Sequence, residues 1–176
     1  MKPDEILAKS APGEQSLIDH TKDCLDWLGK TLLWKSKLIN LLCQRYQLDN
    51  DLLVRRLFMT VAFHDIGKAN QAFQNKIRRI GKREQESHPL ASVPFILFHT
   101  KGEPILEDDD SGFFPETLAI VSHHNKLYPN VYGDFKGFQP SWTSAAYFVE
   151  FYSFLNQKAM EMKIPGWTPL IFESKI

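Results

Sequence analysis

Val61-Ala62-Phe63-His64-Asp65-Ile66-Gly67-Lys68 is the stretch from which the chain is best read. Four apolar residues and two metal-competent side chains share these eight positions. Upstream, Leu52, Leu53, Leu57, Phe58, Val61 and Ala62 keep a helical period, which predicts that His64 and Asp65 occupy the last turn of a buried helix. Gly67 is expected to stop that helix, because glycine takes the left-handed C-cap conformation without strain. An ionised aspartate there is costly unless it is paired. A metal ion is one such partner, so the remaining histidines become the next question.

Working outward, residues 1 to about 14 are polar, with Pro12-Gly13, and read as an arm ending at residue 15. From Ser16 an amphipathic helix carries His20, Leu17, Leu25, Leu28 and Leu32, and a second spans Lys37 to Tyr46. Asn50 or Asp51 is a candidate cap for the doublet's helix. A further helix is expected from Asn70 to about Ile80, and Ser87-His88-Pro89 opens the next, which Pro94 should bend or interrupt. Glu107 to Gly112 reads as a solvated acidic loop. Pro115 starts a helix ending at His123-His124, residues 125–140 form a long loop, and Ser141 to Met162 make a strongly apolar last helix. No strand alternation or internal repeat stands out. The expected fold class is all-α, a helical bundle occupying residues 16–176.

With 176 residues, 43% hydrophobic and 24% charged, the chain suits one globular domain with a real core. Its formal net charge is zero, so nucleic-acid binding would need a local patch. Cys24 and Cys43 show neither metal-type spacing nor a disulfide framework, which suits a reducing cytoplasm. No apolar run reaches membrane-span length and the N-terminus lacks a signal-peptide core, so a cytoplasmic protein with no membrane partner is expected. Gly29-Lys30-Thr31 imitates the end of a phosphate-binding loop, but Cys24 stands where its first glycine belongs, inside a helix.

His20, His64, Asp65, His88, His123 and His124 all fall at expected helix ends, where several helices can bring side chains to one point. Imidazole and carboxylate are standard ligands of first-row metals, and one carboxylate can bridge two ions roughly 3.5–4 Å apart. Any one of these histidines alone reads as a cap or a packed residue. His99, trailing Phe98 and preceding Thr100-Lys101-Gly102, is read as surface. Adjacent His-His and His-Asp pairs have no such packing rationale.

His64-Asp65-Ile66-Gly67-Lys68 resembles the defining doublet of the HD superfamily of metal-dependent phosphohydrolases. The order His20, His64-Asp65, His88, His123-His124 resembles the HD nuclease domain of the CRISPR-associated helicase–nuclease of type I systems. Phe73-Gln74 and Ser87-His88-Pro89-Leu90-Ala91-Ser92 fit the same resemblance, which covers roughly residues 16–150. It implies that His20, His64 and Asp65 hold a first metal, and that Asp65, His88, His123 and His124 hold a second, with Asp65 bridging. The family's late aspartate has no match: Asp134 lies in the loop, and the last helix offers only Glu150 and Glu161. Either the chain stops before the helix that carries it or this member lacks it, and in both cases the first metal is expected to be the weaker one.

The resemblance further implies a metal-dependent endo- or exodeoxyribonuclease that cleaves single-stranded DNA in CRISPR interference. Its partners would be an ATP-dependent helicase and a Cascade-type effector complex. A histidine-rich shell favours manganese, nickel, cobalt or iron over magnesium. Lys68 either meets a phosphate oxygen or leaving group, as a catalytic residue beside Asp65, or offsets the helix dipole. Lys76, Arg78, Arg79, Lys82 and Arg83 form a basic run able to contact a nucleic-acid backbone, or a solvated face. Tyr128, Tyr132, Phe135 and Phe138 either stack bases or anchor their loop. Two alternatives remain: a phosphohydrolase acting on small nucleotides, and a degenerate HD domain kept as an interaction module.

Overall fold

Ser16 opens the first long helix by accepting a hydrogen bond from the Asp19 amide on its hydroxyl at 3.0 Å. The structure, a computed structural model, describes residues 5–10, 12–81, 87–100, 115–124 and 141–172. Within them the order is β1 (Leu7–Lys9), β2 (Gln15–Ser16), α1 (Leu17–Trp34), α2 (Ser36–Tyr46) and α3 (Asn50–Phe63). A 3-10 turn (Ile66–Ala69) follows, then α4 (Gln71–Arg78), α5 (His88–Thr100), α6 (Pro115–Ser122) and α7 (Ala145–Glu161). The fold is all-α apart from the small antiparallel β1–β2 ribbon. No helix among the described residues is long and apolar enough to cross a membrane.

Phe58, Phe63, Phe95, Phe151, Leu17, Leu25 and Ile66 are among the fully buried side chains and define the core. Each stabilises the fold by roughly 1.5–3 kcal/mol relative to exposure. Five of the seven lie on α1, α3 or the turn after α3, the elements that carry His20 and the doublet. The histidine-bearing helix ends are therefore anchored by the hydrophobic core itself.

Four expectations change. The cap of α3 is Asp49, whose Oδ1 accepts from the Leu52 amide at 2.7 Å, one residue before the expected position. The last helix begins at Ala145, because Thr143 is held back by its amide and hydroxyl on the Ala69 carbonyl at 3.2 and 2.9 Å. Pro94 does not interrupt its helix, which runs on through that residue. The fourth change concerns the segment read as an arm: Ile6, Leu7 and Ala8 are buried in the core. Three apolar residues are too few to show a period, so only their partners reveal them.

The main partner is Gln74. Its amide oxygen accepts from the Leu7 amide at 3.1 Å, and its amide nitrogen donates to the Leu7 and Lys68 carbonyls at 2.9 and 2.8 Å. One buried side chain thus pins β1 to the 3-10 turn. Gln74→Leu leaves three buried backbone groups unsatisfied and should cost about 2 kcal/mol. Denaturant unfolding measures that loss, and amide exchange at Leu7 should rise with it; unchanged exchange would show that β1 is held by packing alone.

His99, read as surface, is half-buried. Its ring stacks on Phe63 at 4.9 Å and 8°, and its Nε2 is 2.7 Å from the Tyr152 hydroxyl. Burial holds its imidazole down at about 4 from the usual 6.5. The unfolded chain therefore binds the extra proton between those values. Stability is complete above pH 6.5 and is lost as pH falls toward 4, by about 2 kcal/mol after discounting for partial exposure. Melting temperatures of wild type and His99→Gln across that window check this; parallel curves would contradict it.

Candidate metal centre

His20 sits on the first turn of α1, and His64 is the C-cap of α3 in right-handed helical conformation (φ −55, ψ −35). His88 is the first residue of α5, and His123 and His124 follow the last residue of α6. Asp65 (φ −115, ψ 3) starts the 3-10 turn, and its carbonyl accepts from the Lys68 amide at 2.8 Å. The doublet thus lies just past the helix end, one step beyond the expected last turn.

Gly67 has a role different from the one its type suggests. It is not among the glycines with positive φ, so it is no left-handed cap. A Cβ there would stand 2.0 Å from the His88 carbonyl oxygen and 2.9 Å from the Ala91 Cβ. Its amide donates to Ser92 Oγ at 2.8 Å, and Ser92 Oγ donates to the His88 carbonyl at 2.9 Å. Glycine is needed because α5 and the doublet's turn meet backbone to backbone. That contact brings His88 to Asp65.

Asp65 is 2% exposed, and its two oxygens face different histidines. Oδ2 lies 3.0 Å from His20 Nε2 and 3.3 Å from His64 Nε2. Oδ1 lies 3.4 Å from His88 Nε2 and 3.2 Å from His123 Nε2. His124 joins the second group through its Nε2, 2.8 Å from His88 Nε2. The Nδ1 atoms of His64 and His123 face the carbonyls of Val61 and Ile120 at 2.7 and 2.5 Å. An Nδ1–H donated to a carbonyl leaves the Nε2 lone pair pointing at the carboxylate, as metal-ligating histidines require.

The charges follow from this crowding. Burial would raise the Asp65 pKa, but the neighbouring His123, His20 and His64 imidazoles hold it well below the usual carboxylate range. Burial likewise opposes charge on His64, yet Asp65 and Cys24 raise it to about 10. His20 is raised too, first by Asp65 and then by Cys24. Lys68 is buried, with its ammonium 2.7 Å from Asp65 Oδ2 and 5.7 Å from the Phe73 ring centroid. Its charge answers the Asp65 carboxylate.

The donor set fits a divalent ion. Among the described residues, Asp65 Oδ1 and His123 Nε2 are both buried without a hydrogen-bond partner, although they face one another. Such atoms are costly unless something is coordinated by both. The potential ligand atoms fall into two groups, Asp65 with His88, His123 and His124, and His20 with Cys24 and His64, each within 4.8 Å.

Cys24 is the residue that the cysteine pattern missed. Its Sγ is 3.9 Å from His20 Nε2, and both it and His64 interact with the thiol. The signal was present as His20-x-x-x-Cys24, a spacing that puts both on one helix face. The hydrogen bonds from His20 and His64 lower the thiol to about 6.

Of the basic run, Lys76 and Arg79 are exposed on α4 and its cap, while Arg78 donates to the Glu5 carbonyl. Lys82 and Arg83, the acidic loop, Asp134 and the four loop aromatics lie outside the described residues. Glu161 pairs with Lys158 at 3.2 Å, and neither it nor Glu150 belongs to the potential ligand groups. A cleft of about 1400 Å³ is lined by Asp19, Gln71, Asn75, Tyr147 and Glu150 among others, but by none of the histidines. Its carboxylates make it a poor phosphate groove.

Residues 7–128 match the family described as Cas3, HD domain. Over 77 residues, 43% of this chain, the sequence is 36% identical to a protein of Methanocaldococcus jannaschii named "Putative CRISPR-associated nuclease/helicase Cas3". The match covers 10% of that relative, so the chain spans only a small part of its length. No solved structure matches.

Proposed function

The chain belongs to the Cas3 HD-domain family, a CRISPR-associated HD nuclease class, and from that premise we propose that it is a metal-dependent nuclease cutting single-stranded DNA in CRISPR interference. The relative's name pairs nuclease with helicase, and we extend that pairing here: an ATP-dependent helicase would feed the strand to this domain within a Cascade-type assembly in the cytoplasm.

The observation that carries the reading is the division of Asp65, with His20 and His64 on Oδ2 and His88 and His123 on Oδ1. In this proposal the first three residues hold one ion, and Asp65 with His88, His123 and His124 holds the other. Divalent ions bound there supply an activated water and stabilise charge developing on a phosphodiester. The protein's own part is to fix the donors. The Val61 and Ile120 carbonyls orient His64 and His123, and Gly67 lets α5 bring His88 within reach. We assign Lys68 to a phosphate oxygen or the leaving group, the ammonium being 2.7 Å from Asp65. Lys76 and Arg79, with Lys82 and Arg83, are assigned to the strand's backbone. Nitrogen-rich donors favour manganese, nickel, cobalt or iron over magnesium.

Incubating metal-loaded protein with single-stranded DNA, nucleoside phosphates and cyclic dinucleotides tests this. DNA fragments that depend on added metal are expected. Turnover of nucleotides without DNA cleavage would replace the proposal with the small-nucleotide phosphohydrolase.

A further inference from the structure

The two halves of the centre are unequal. Among the described residues, the Oδ1 side offers Asp65 and three histidines, whereas the Oδ2 side offers Asp65, His20 and His64. The Oδ2 side is therefore one imidazole or carboxylate donor short of its neighbour. The donor that groups with His20 and His64 among the described residues is a sulfur, Cys24 Sγ. We infer that Cys24 is a metal ligand of the Oδ2 side, making it a mixed nitrogen, oxygen and sulfur site. This rests on the metal reading above.

Geometry supports it. Ligand bonds of roughly 2.3 Å to sulfur and 2.0–2.1 Å to nitrogen, at a tetrahedral angle, put S and N about 3.6 Å apart. Cys24 Sγ is 3.9 Å from His20 Nε2, so a small side-chain adjustment suffices. The two residues share one face of α1, whose Leu17 and Leu25 are fully buried, so the pair is carried on a fixed scaffold. His20 and His64 already converge, with ring centroids 5.6 Å apart. Cys43 has a different environment: it is buried on α2 and faces Asn50 Oδ1 at 3.7 Å. It serves as the internal control.

The chemistry sets a consequence for metal choice. Thiolate selects borderline and softer ions, so the Oδ2 side should prefer zinc, cobalt or ferrous iron over manganese and magnesium. The all-nitrogen-and-oxygen side does not share the bias against manganese. One protein then holds two unlike sites across a single carboxylate.

Cobalt(II) is the probe, because sulfur ligation adds a charge-transfer band in the near ultraviolet. The cobalt-loaded chain should show that band; Cys24→Ser should lose it while keeping visible cobalt absorption from the other side, and Cys43→Ser should retain it. Cobalt affinity of the Oδ2 side should fall at least tenfold in Cys24→Ser, the scale on which a ligand's supporting contacts already act. A parallel measurement on unmutated protein guards against a misfolded variant: bound cobalt should slow maleimide modification of Cys24 at least tenfold. Bound cobalt without the band, a band that survives Cys24→Ser, or an unchanged modification rate would each overturn the inference and leave the metal reading standing. No bound cobalt in wild type would overturn both.

Discussion

Asp65→Asn is expected to abolish divalent-metal retention on both sides of the centre and to lower DNA cleavage by about 10⁴-fold or more, the scale seen when one member of a catalytic unit is removed. Both carboxylate oxygens are engaged, Oδ2 by His20, His64 and Lys68 and Oδ1 by His88 and His123. An amide keeps the shape but loses the charge and half of the acceptor capacity. Lys68 then keeps its buried ammonium without an anionic partner, so stability should fall as well, by about 3 kcal/mol. Metal content after desalting separates the two effects. A folded Asp65→Asn protein that keeps its full metal complement would mean that the histidines alone hold the ions.

Gly67→Ala is expected to have the second-largest effect. The new Cβ would sit 2.0 Å from the His88 carbonyl oxygen. That atom is backbone, at the start of α5, and cannot rotate aside as a side chain would. The turn and α5 must separate, breaking the Gly67 amide bond to Ser92 Oγ. Overpacking of this kind costs about 3 kcal/mol. His88 moves with α5, so metal affinity should fall mainly on the His88 side, while the His20 and His64 side changes less. Unfolding and metal titration of the variant measure both. A stability within about 0.5 kcal/mol of wild type would refute the close-approach account of Gly67.

The helical period made α1, α2, α3 and the all-α class legible, because long apolar stripes are a strong signal. The period says less about where a stripe is buried. Leu38 and Leu41 follow it on α2 and are nevertheless 52% and 61% exposed. Short segments were opaque for a different reason. Ile6-Leu7-Ala8 is too brief to show alternation, and its place depends on Gln74, 67 positions away from Leu7.

The histidines were legible as a set, since their clustering at helix ends has no packing rationale. Their division between the two oxygens of Asp65 was expected only from a family resemblance; residue order alone does not encode it. Gly67 stands out in the sequence, but a glycine's type does not tell positive φ from close approach. His99 and Cys24 are hidden in opposite ways. His99 has polar neighbours in sequence, whereas Phe63 and Tyr152 pack against it. Cys24 is not reached by cysteine-to-cysteine spacings, because its partner is a histidine one turn earlier.

The most direct test of the central claim is electron paramagnetic resonance on the protein loaded with cobalt(II), an ion that both sides are expected to accept, and then desalted. If Asp65 joins two ions, the spectrum should show spin-coupled cobalt pairs, and Asp65→Asn should remove them. Protein that retains no cobalt, or a wild-type spectrum of isolated ions that Asp65→Asn leaves unchanged, would contradict the account.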